Sequence, residues 1–319
     1  MPRHAPSLGP LARGDRVALV APAGPVPSDQ LDRASELLRT WGLEPVESKH
    51  VRDHHPTADY LAGTDADRAA DLTDAWCDPT VDAVFCVRGG YGSVRVLDHL
   101  DAEALRAARP KPLFGSSDVT AIHEYWRESL GVSTWFTPMI ATLALLDDAA
   151  ATADLRRAML EPWDGRTYTR SGAGTITTGQ ASGTLIGGNL AVLAMTIGAR
   201  SRPAPRPGPY VALLEDVNEE PYRIDGFLTS LLRSGWFDDV AGIVLGSWDD
   251  CGDLEAVREV CTERLGPLGV PIAWELGFGH GPAAPSIPLG TVVDLDASTP
   301  ALTIRSGARL ATTTSREQR

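Results

Sequence analysis

Residues 113–120 read Leu113-Phe114-Gly115-Ser116-Ser117-Asp118-Val119-Thr120. The order is a short apolar strand, a turn of small residues, and then a helix predicted from Val119 to Leu130. A serine at such a turn stands at the C-terminal edge of a sheet. Its hydroxyl can project there, and the N–H groups of the new helix face whatever binds above it. The same residues also suit plain helix capping, the commoner use of Ser and Asp at this position. Taken alone the segment favours the cap, so the surrounding chain has to decide.

Working outward, strands alternate with helices. Arg16 to Ala21 is a buried-type strand ending in the Pro22–Pro25 loop, followed by an amphipathic helix from Ser28 to Trp41. A strand at Leu43–Val46, a helix at Asp65–Cys77 and a strand at Val81–Val87 come next. Arg88-Gly89-Gly90-Tyr91-Gly92 is then a turn before a helix over Ser93–His99. This alternation implies a parallel sheet with helices on both faces. Ligands bind beyond the C-terminal strand ends of such sheets, where the turns at Pro22–Pro25, Arg88–Gly92 and Gly115–Asp118 converge. Residues 1–160 are therefore expected to form an N-terminal open α/β domain. Residues 161–182, poor in large apolar side chains, are expected to be a linker. Residues 183–311 are expected to form a mixed α/β domain with a β-rich, barrel-like end. Its strands are predicted at Tyr210–Leu214, Ala241–Leu245, Pro271–Trp274, Pro288–Asp294 and Ala301–Ile304, with a helix at Ile224–Arg233. Arg202–Pro209 reads as Pro-rich loop, and the chain from Thr312 as a disordered tail.

Composition removes several classes of function. The net charge of −13 and the lack of a basic stripe argue against a nucleic-acid partner. Lys49 and Lys111 are the only lysines, and no Gly-Lys-Ser/Thr occurs, which excludes a P-loop. Cys77, Cys86, Cys251 and Cys261 form no CxxC pair and read as free thiols of a reducing compartment. His54 and His55 lack a third ligand or helical spacing, so no metal is expected. The start of the chain shows no apolar h-region, and no apolar run is long enough for a membrane span. The expected address is the cytoplasm, with neither membrane nor cofactor.

Two further positions stand out. His280 lies between Gly279 and Gly281 after the Pro271–Trp274 strand. It is either a turn histidine bonded to backbone or a group that others can approach closely. Glu215 follows the apolar Tyr210–Leu214 strand and opens an acidic run with Asp216, Glu219 and Glu220. Such a carboxylate can orient a histidine, whereas Glu219 and Glu220 read as a solvated loop. His123, on the helix past the serine turn, reads as structural and pointing away from the strand edge. A serine, a carboxylate and a histidine thus each stand at a predicted strand end, far apart in sequence, as triad members usually do. Gly89 and Gly90 can offer one backbone N–H to an oxyanion and Asp118 the other. The G-x-S-x-G elbow is absent, because Val119 follows Asp118.

At these residues the chain resembles the LD-carboxypeptidase family of serine peptidases, the murein tetrapeptide carboxypeptidases, which includes the microcin C self-immunity proteins. The matching motifs are RVALVAPAGP near the start, RGGYGS at Arg88–Ser93, FGSSDVTAIH at Phe114–His123 and GTLIGGNL at Gly183–Leu190. LLEDVNEEPYRID at Leu213–Asp225, GIVLGSW at Gly242–Trp248, and GFGHG with IPLG between Gly277 and Gly290 follow in the same order. The resemblance implies Ser117 as nucleophile, Glu215 as the triad carboxylate and His280 as general base, with Asp118 and Gly89 or Gly90 as oxyanion donors. It implies release of D-alanine from a peptidoglycan tetrapeptide without a metal, by a homodimer. Ser116 stands where many relatives carry Tyr, which bears on substrate choice. Arg88, Tyr91, Ser116 and Arg223 are the candidate substrate contacts. An arginine suits the free carboxylate, although Arg223 equally suits a salt bridge to Asp225 or Glu219. Within the family the rival is a microcin-type hydrolase of peptidyl or aminoacyl nucleotides. Outside it, the rival is a non-catalytic α/β protein that binds a small ligand.

Overall fold

The computed structural model describes residues 9–198 and 208–305. The tail expected from Thr312 and most of the Pro-rich loop lie outside the described residues. The first five strands are β1 (Arg16–Val20), β2 (Glu44–Glu47), β3 (Ala83–Cys86), β4 (Leu113–Gly115) and β5 (Thr134–Phe136). They are followed by β6 (Thr167–Tyr168), β7 (Gly174–Thr177), β8 (Gln180–Asn189), β9 (Tyr210–Val217) and β10 (Val240–Asp249). The last four are β11 (Ile272–Trp274), β12 (Ile287–Leu289), β13 (Val292–Asp296) and β14 (Ala301–Ile304).

The first sheet runs β12-β5-β4-β3-β1-β2. Its five N-terminal strands are mutually parallel. The reason lies in the strand sequences: β3 is a continuous apolar run buried along its whole length, the pattern of a sheet covered on both faces. Helix Asp65–Cys77 covers part of it, with Ala69, Leu72, Ala75 and Trp76 inward and Thr64 capping its start. Helix Ser28–Thr40 buries Leu31, Ala34 and Leu38.

The second sheet runs β6-β14-β13-β8-β9-β10-β11-β7 and curls into a half-barrel. Strands β8, β9, β10 and β11 are parallel, with antiparallel strands on either flank. Two assignments change here. Residues 161–182, expected as a linker, supply both outermost strands of this sheet, β6 and β7. The stretch expected as one strand over 288–294 divides: β12 pairs antiparallel with β5 in the first sheet, and β13 pairs with β8 in the second. Gly290, at φ +80°, turns the chain between them, a conformation that favours glycine. Pro288 sits in β12 at the sheet's edge, where its missing N–H costs no ladder bond.

One apolar cluster runs through both sheets, with Val20, Phe85, Phe114 and Trp135 from the first and Val211, Val244 and Phe278 from the second unit. A second cluster packs Leu214 and Leu245 against Leu228 and Leu231 of helix Pro221–Arg233. Among the described residues no helix is long and apolar enough to cross a membrane. All four cysteines are free.

Candidate active site

Ser117 begins a tight turn, Ser117–Val119, that leads into helix Thr120–Tyr125. Its φ is +56°, the left-handed region that a residue with a side chain adopts only at a cost. The turn is anchored by Val119 N–H donating to Ser116 O (3.0 Å). The loop after β3 lies directly against it. A side chain at Gly89 would come 2.9 Å from both Cβ and Oγ of Ser117, so only glycine fits there. Gly24 N–H donates to Gly89 O (3.0 Å). Across a trans peptide, the C=O of one residue and the N–H of the next point in opposite directions. Gly90 N–H therefore faces away from the Pro22–Pro25 loop.

Asp118 contributes more than a backbone N–H. Its buried carboxylate accepts from Ser93 N–H (2.7 Å), and Ser93 Oγ donates to Asp118 O. The serine turn and the glycine loop are thus tied together. Burial pushes the Asp118 carboxyl above its usual range, against the opposing pull of those bonds.

Glu215 is fully buried within β9, which runs to Val217, beyond the Tyr210–Leu214 strand expected from the sequence. Its Oε2 lies 2.7 Å from His280 Nδ1, and its Oε1 accepts from Asn189 Nδ2 (3.3 Å). His280 is held by its backbone, since the N–H groups of His280 and Gly281 both donate to Ser247 Oγ (3.0 Å each). A side chain at Gly279, where φ is +124°, would collide with Glu215 Oε2. Gly279 is what lets the histidine close onto the carboxylate, and Gly281 lets the chain pass close to Ser247. Burial works to lower the His280 pKa, but the charge and hydrogen bond of Glu215 outweigh it and hold the imidazole above its ordinary value.

Asp216, next in the acidic run after Glu215, is also buried. It accepts from Asn189 Nδ2 (2.8 Å) and from the N–H groups of Ala191 and Val217 (2.9 Å each). Burial, and then the neighbouring Glu215, push it up to about 7. His123 is structural, as expected, yet it reaches back to the strand edge: its Nε2 bonds Gly115 O at 2.9 Å. Burial lowers it to about 4, so it is neutral at physiological pH.

The remaining candidates separate. Arg88 is half-buried beside Gly89, and among the described residues it has no carboxylate partner. Tyr91 is exposed, its ring centroid 6.0 Å from that of Tyr60. Ser116 is buried, and its N–H faces Met139 Sδ (3.1 Å). Arg223 takes the salt-bridge alternative, pairing with Glu219 and lying over the Phe227 ring, while Asp225 pairs with Arg264 (2.6 Å). Among the described residues no cluster of His, Cys, Asp or Glu could hold a metal ion. Sequence reasoning assigned no role to Asn189, Ser247 or the Asp118 carboxylate. The first two lie inside the quoted GTLIGGNL and GIVLGSW motifs, which were the available signal.

The architecture defines a two-sheet α/β protein with a strained serine turn on one sheet and, carried from the other, a buried carboxylate paired with a half-buried imidazole. Residues 17–137 match the LD-carboxypeptidase N-terminal domain and residues 182–295 the LD-carboxypeptidase C-terminal domain. The chain belongs to the LD-carboxypeptidase family, a family of peptidases. It is 50% identical over 295 residues to a Streptomyces coelicolor protein whose carboxypeptidase name is provisional, covering 92% of this chain and 94% of that one. It is 33% identical over 299 residues to the murein tetrapeptide carboxypeptidase of Pseudomonas aeruginosa, covering 88% and 93%. Among solved structures, the muramoyltetrapeptide carboxypeptidase of Oxalobacter formigenes superposes with a TM-score of 0.77 at 25% identity, covering 91% and 99%. The microcin C7 self-immunity protein in complex with adenosine monophosphate has a TM-score of 0.81 at 23% identity, covering 94% and 98%, and so shares the fold.

Proposed function

We propose that the protein is a serine-type LD-carboxypeptidase that releases terminal D-alanine from murein tetrapeptide in peptidoglycan recycling, in the cytoplasm and as a homodimer. The observation that carries this reading is the 2.7 Å contact between His280 Nδ1 and the buried Glu215 carboxylate. It fixes the tautomer, so Nε2 is free to accept a proton.

The chemistry then follows. Ser117 Oγ attacks the carbonyl carbon of the amide while its proton passes to His280 Nε2. The N–H groups of Asp118 and Gly90 receive the developing oxyanion, with Gly89 giving the close approach. Such donors are each worth roughly 3 kcal/mol where they have been removed. The C–N bond breaks as His280 gives its proton to the leaving D-alanine amine. Water, deprotonated by the same imidazole, then hydrolyses the acyl-serine. Arg88, beside the glycine loop and without a carboxylate partner, takes the substrate's terminal carboxylate. Arg223, already paired, does not.

The decisive measurement is D-alanine release from murein tetrapeptide by the intact protein and by Ser117→Ala. Release by the first and a loss of at least about a thousandfold in the second are expected. No release from the tetrapeptide overturns the substrate. The fold shared with the microcin self-immunity protein supports a second reading, hydrolysis of an aminoacyl nucleotide at the same site. Cleavage of an aminoacyl-sulfamoyl adenosine in place of the tetrapeptide would establish it.

A further inference from the structure

Arg68 is 2% exposed, an unusual state for an arginine, and the triad does not use it. It lies in the first turn of helix Asp65–Cys77. Its Nη1 donates both to Pro22 O, in the loop after β1, and to Gly92 O (2.8 Å), in the loop after β3. Its Nη2 pairs with Asp65, whose other oxygen is held by Arg95 at 2.8 Å. One planar guanidinium therefore fastens two backbone loops to one helix. Gly92, at φ +122°, has no room for a side chain, because a Cβ would come 2.7 Å from Arg68 Nη1 and would meet Leu61. Gly24 N–H on Gly89 O ties the same two loops a second time. The Asp118–Ser93 bonds join the second loop to the serine turn.

We propose that Arg68 is a positioning residue for the oxyanion site, setting the 88–93 loop against Ser117 through Pro22 and Gly92. This rests on the serine-hydrolase reading above. A lysine keeps the charge but not the flat fork, so it cannot serve two carbonyls and the Asp65 carboxylate in one plane. An oxyanion donor displaced by a fraction of an ångström acts on the transition state more than on the bound substrate.

The test measures kcat and KM for D-alanine release, together with the rate at which a fluorophosphonate labels Ser117, in the full chain. Arg68→Lys and Gly92→Ala press on the same contact from opposite sides. Each is expected to lower kcat and labelling in parallel by about tenfold or more, with KM within about twofold. Lys111→Met is the structural control. Lys111 is also buried and donates to Ala75 O (3.2 Å) and Asp78 O (2.6 Å) at the other end of the same helix. It is expected to lose thermal stability while keeping kcat. If Arg68→Lys fails to fold, Gly92→Ala carries the test alone. Wild-type kcat and labelling in a folded variant at either position overturn the positioning role and leave the triad standing. A wild-type protein that neither labels at Ser117 nor cleaves an amide overturns the serine reading and this role together.

Discussion

At His280 two opposing effects act on one imidazole, and in the proposed mechanism their balance sets the pH at which the protein can work. Burial favours the neutral ring, and the Glu215 carboxylate favours the cation; the carboxylate prevails, so the pKa lies above the ordinary 6.5. A general base must be neutral before it takes a proton. Activity limited by this base is therefore low below the folded pKa and rises as pH passes through it. The acid limb of kcat/KM is expected above pH 6.5, the ordinary value. In Glu215→Gln the cation loses its main partner, leaving only the weaker pull of Asp216 and Asp249 against burial, so the limb moves down. The rate at high pH falls too, on the order of 10⁴-fold where such a carboxylate has been neutralised in a comparable triad. A pH profile of both proteins checks this, and a limb at the same pH in each would contradict it. Ser117, Glu215 and His280 stood out in the sequence as candidates at predicted strand ends, two of them with glycine or small neighbours, although β9 continues past Glu215 and His280 stands on the segment between β11 and β12. The depth of Asp216 was not visible there. Its burial follows from β9 continuing to Val217 and from the Asn189 amide reaching across from β8, a contact between residues 27 apart that local polarity cannot reveal.

Among the elements, the alternating strands and helices of the first sheet were readable because β1 and β3 are continuous apolar runs between glycine-rich turns. The C-terminal strands were not. Ile287 to Asp296 has the composition of a single strand, and only Gly290 signals that the chain leaves one sheet for the other. This matters for the site, because His280 lies on the segment between β11, in the second sheet, and β12, in the first. The segment is pinned at its far end by the β12–β5 pairing, where Ile287 opposes Phe136 and is fully buried. Ile287→Ala removes three buried carbons there. A loss of about 2–5 kcal/mol is expected from core truncations of this kind, read as a lower urea midpoint at unchanged slope. Catalytic turnover should fall as well, since β12 anchors the chain that presents the imidazole. An unchanged midpoint would show that the β12 contact contributes little.

For the whole molecule, the question is whether two sheets mean two folding units. Domains joined by small polar interfaces often melt separately. Here the apolar cluster does not stop at the boundary. Phe114 and Trp135 of the first sheet belong to the same cluster as Val211, Val244 and Phe278, and β12 adds a C-terminal strand to the N-terminal sheet. Separating the units would expose that shared apolar surface, each square ångström of it costing roughly 25 cal/mol. A single cooperative transition is therefore expected. Trp76, Trp126 and Trp135 are buried in the N-terminal unit, and Trp236, Trp248 and Trp274 in the C-terminal one, so tryptophan fluorescence reports on both. In urea, fluorescence, far-UV ellipticity and amide hydrolysis should be lost along one curve, because the proposed serine sits on one sheet and its proposed base follows a strand of the other. Two separated fluorescence steps, or hydrolysis lost well before ellipticity, would show that the sheets part before they unfold and that the shared cluster does not hold them as one body.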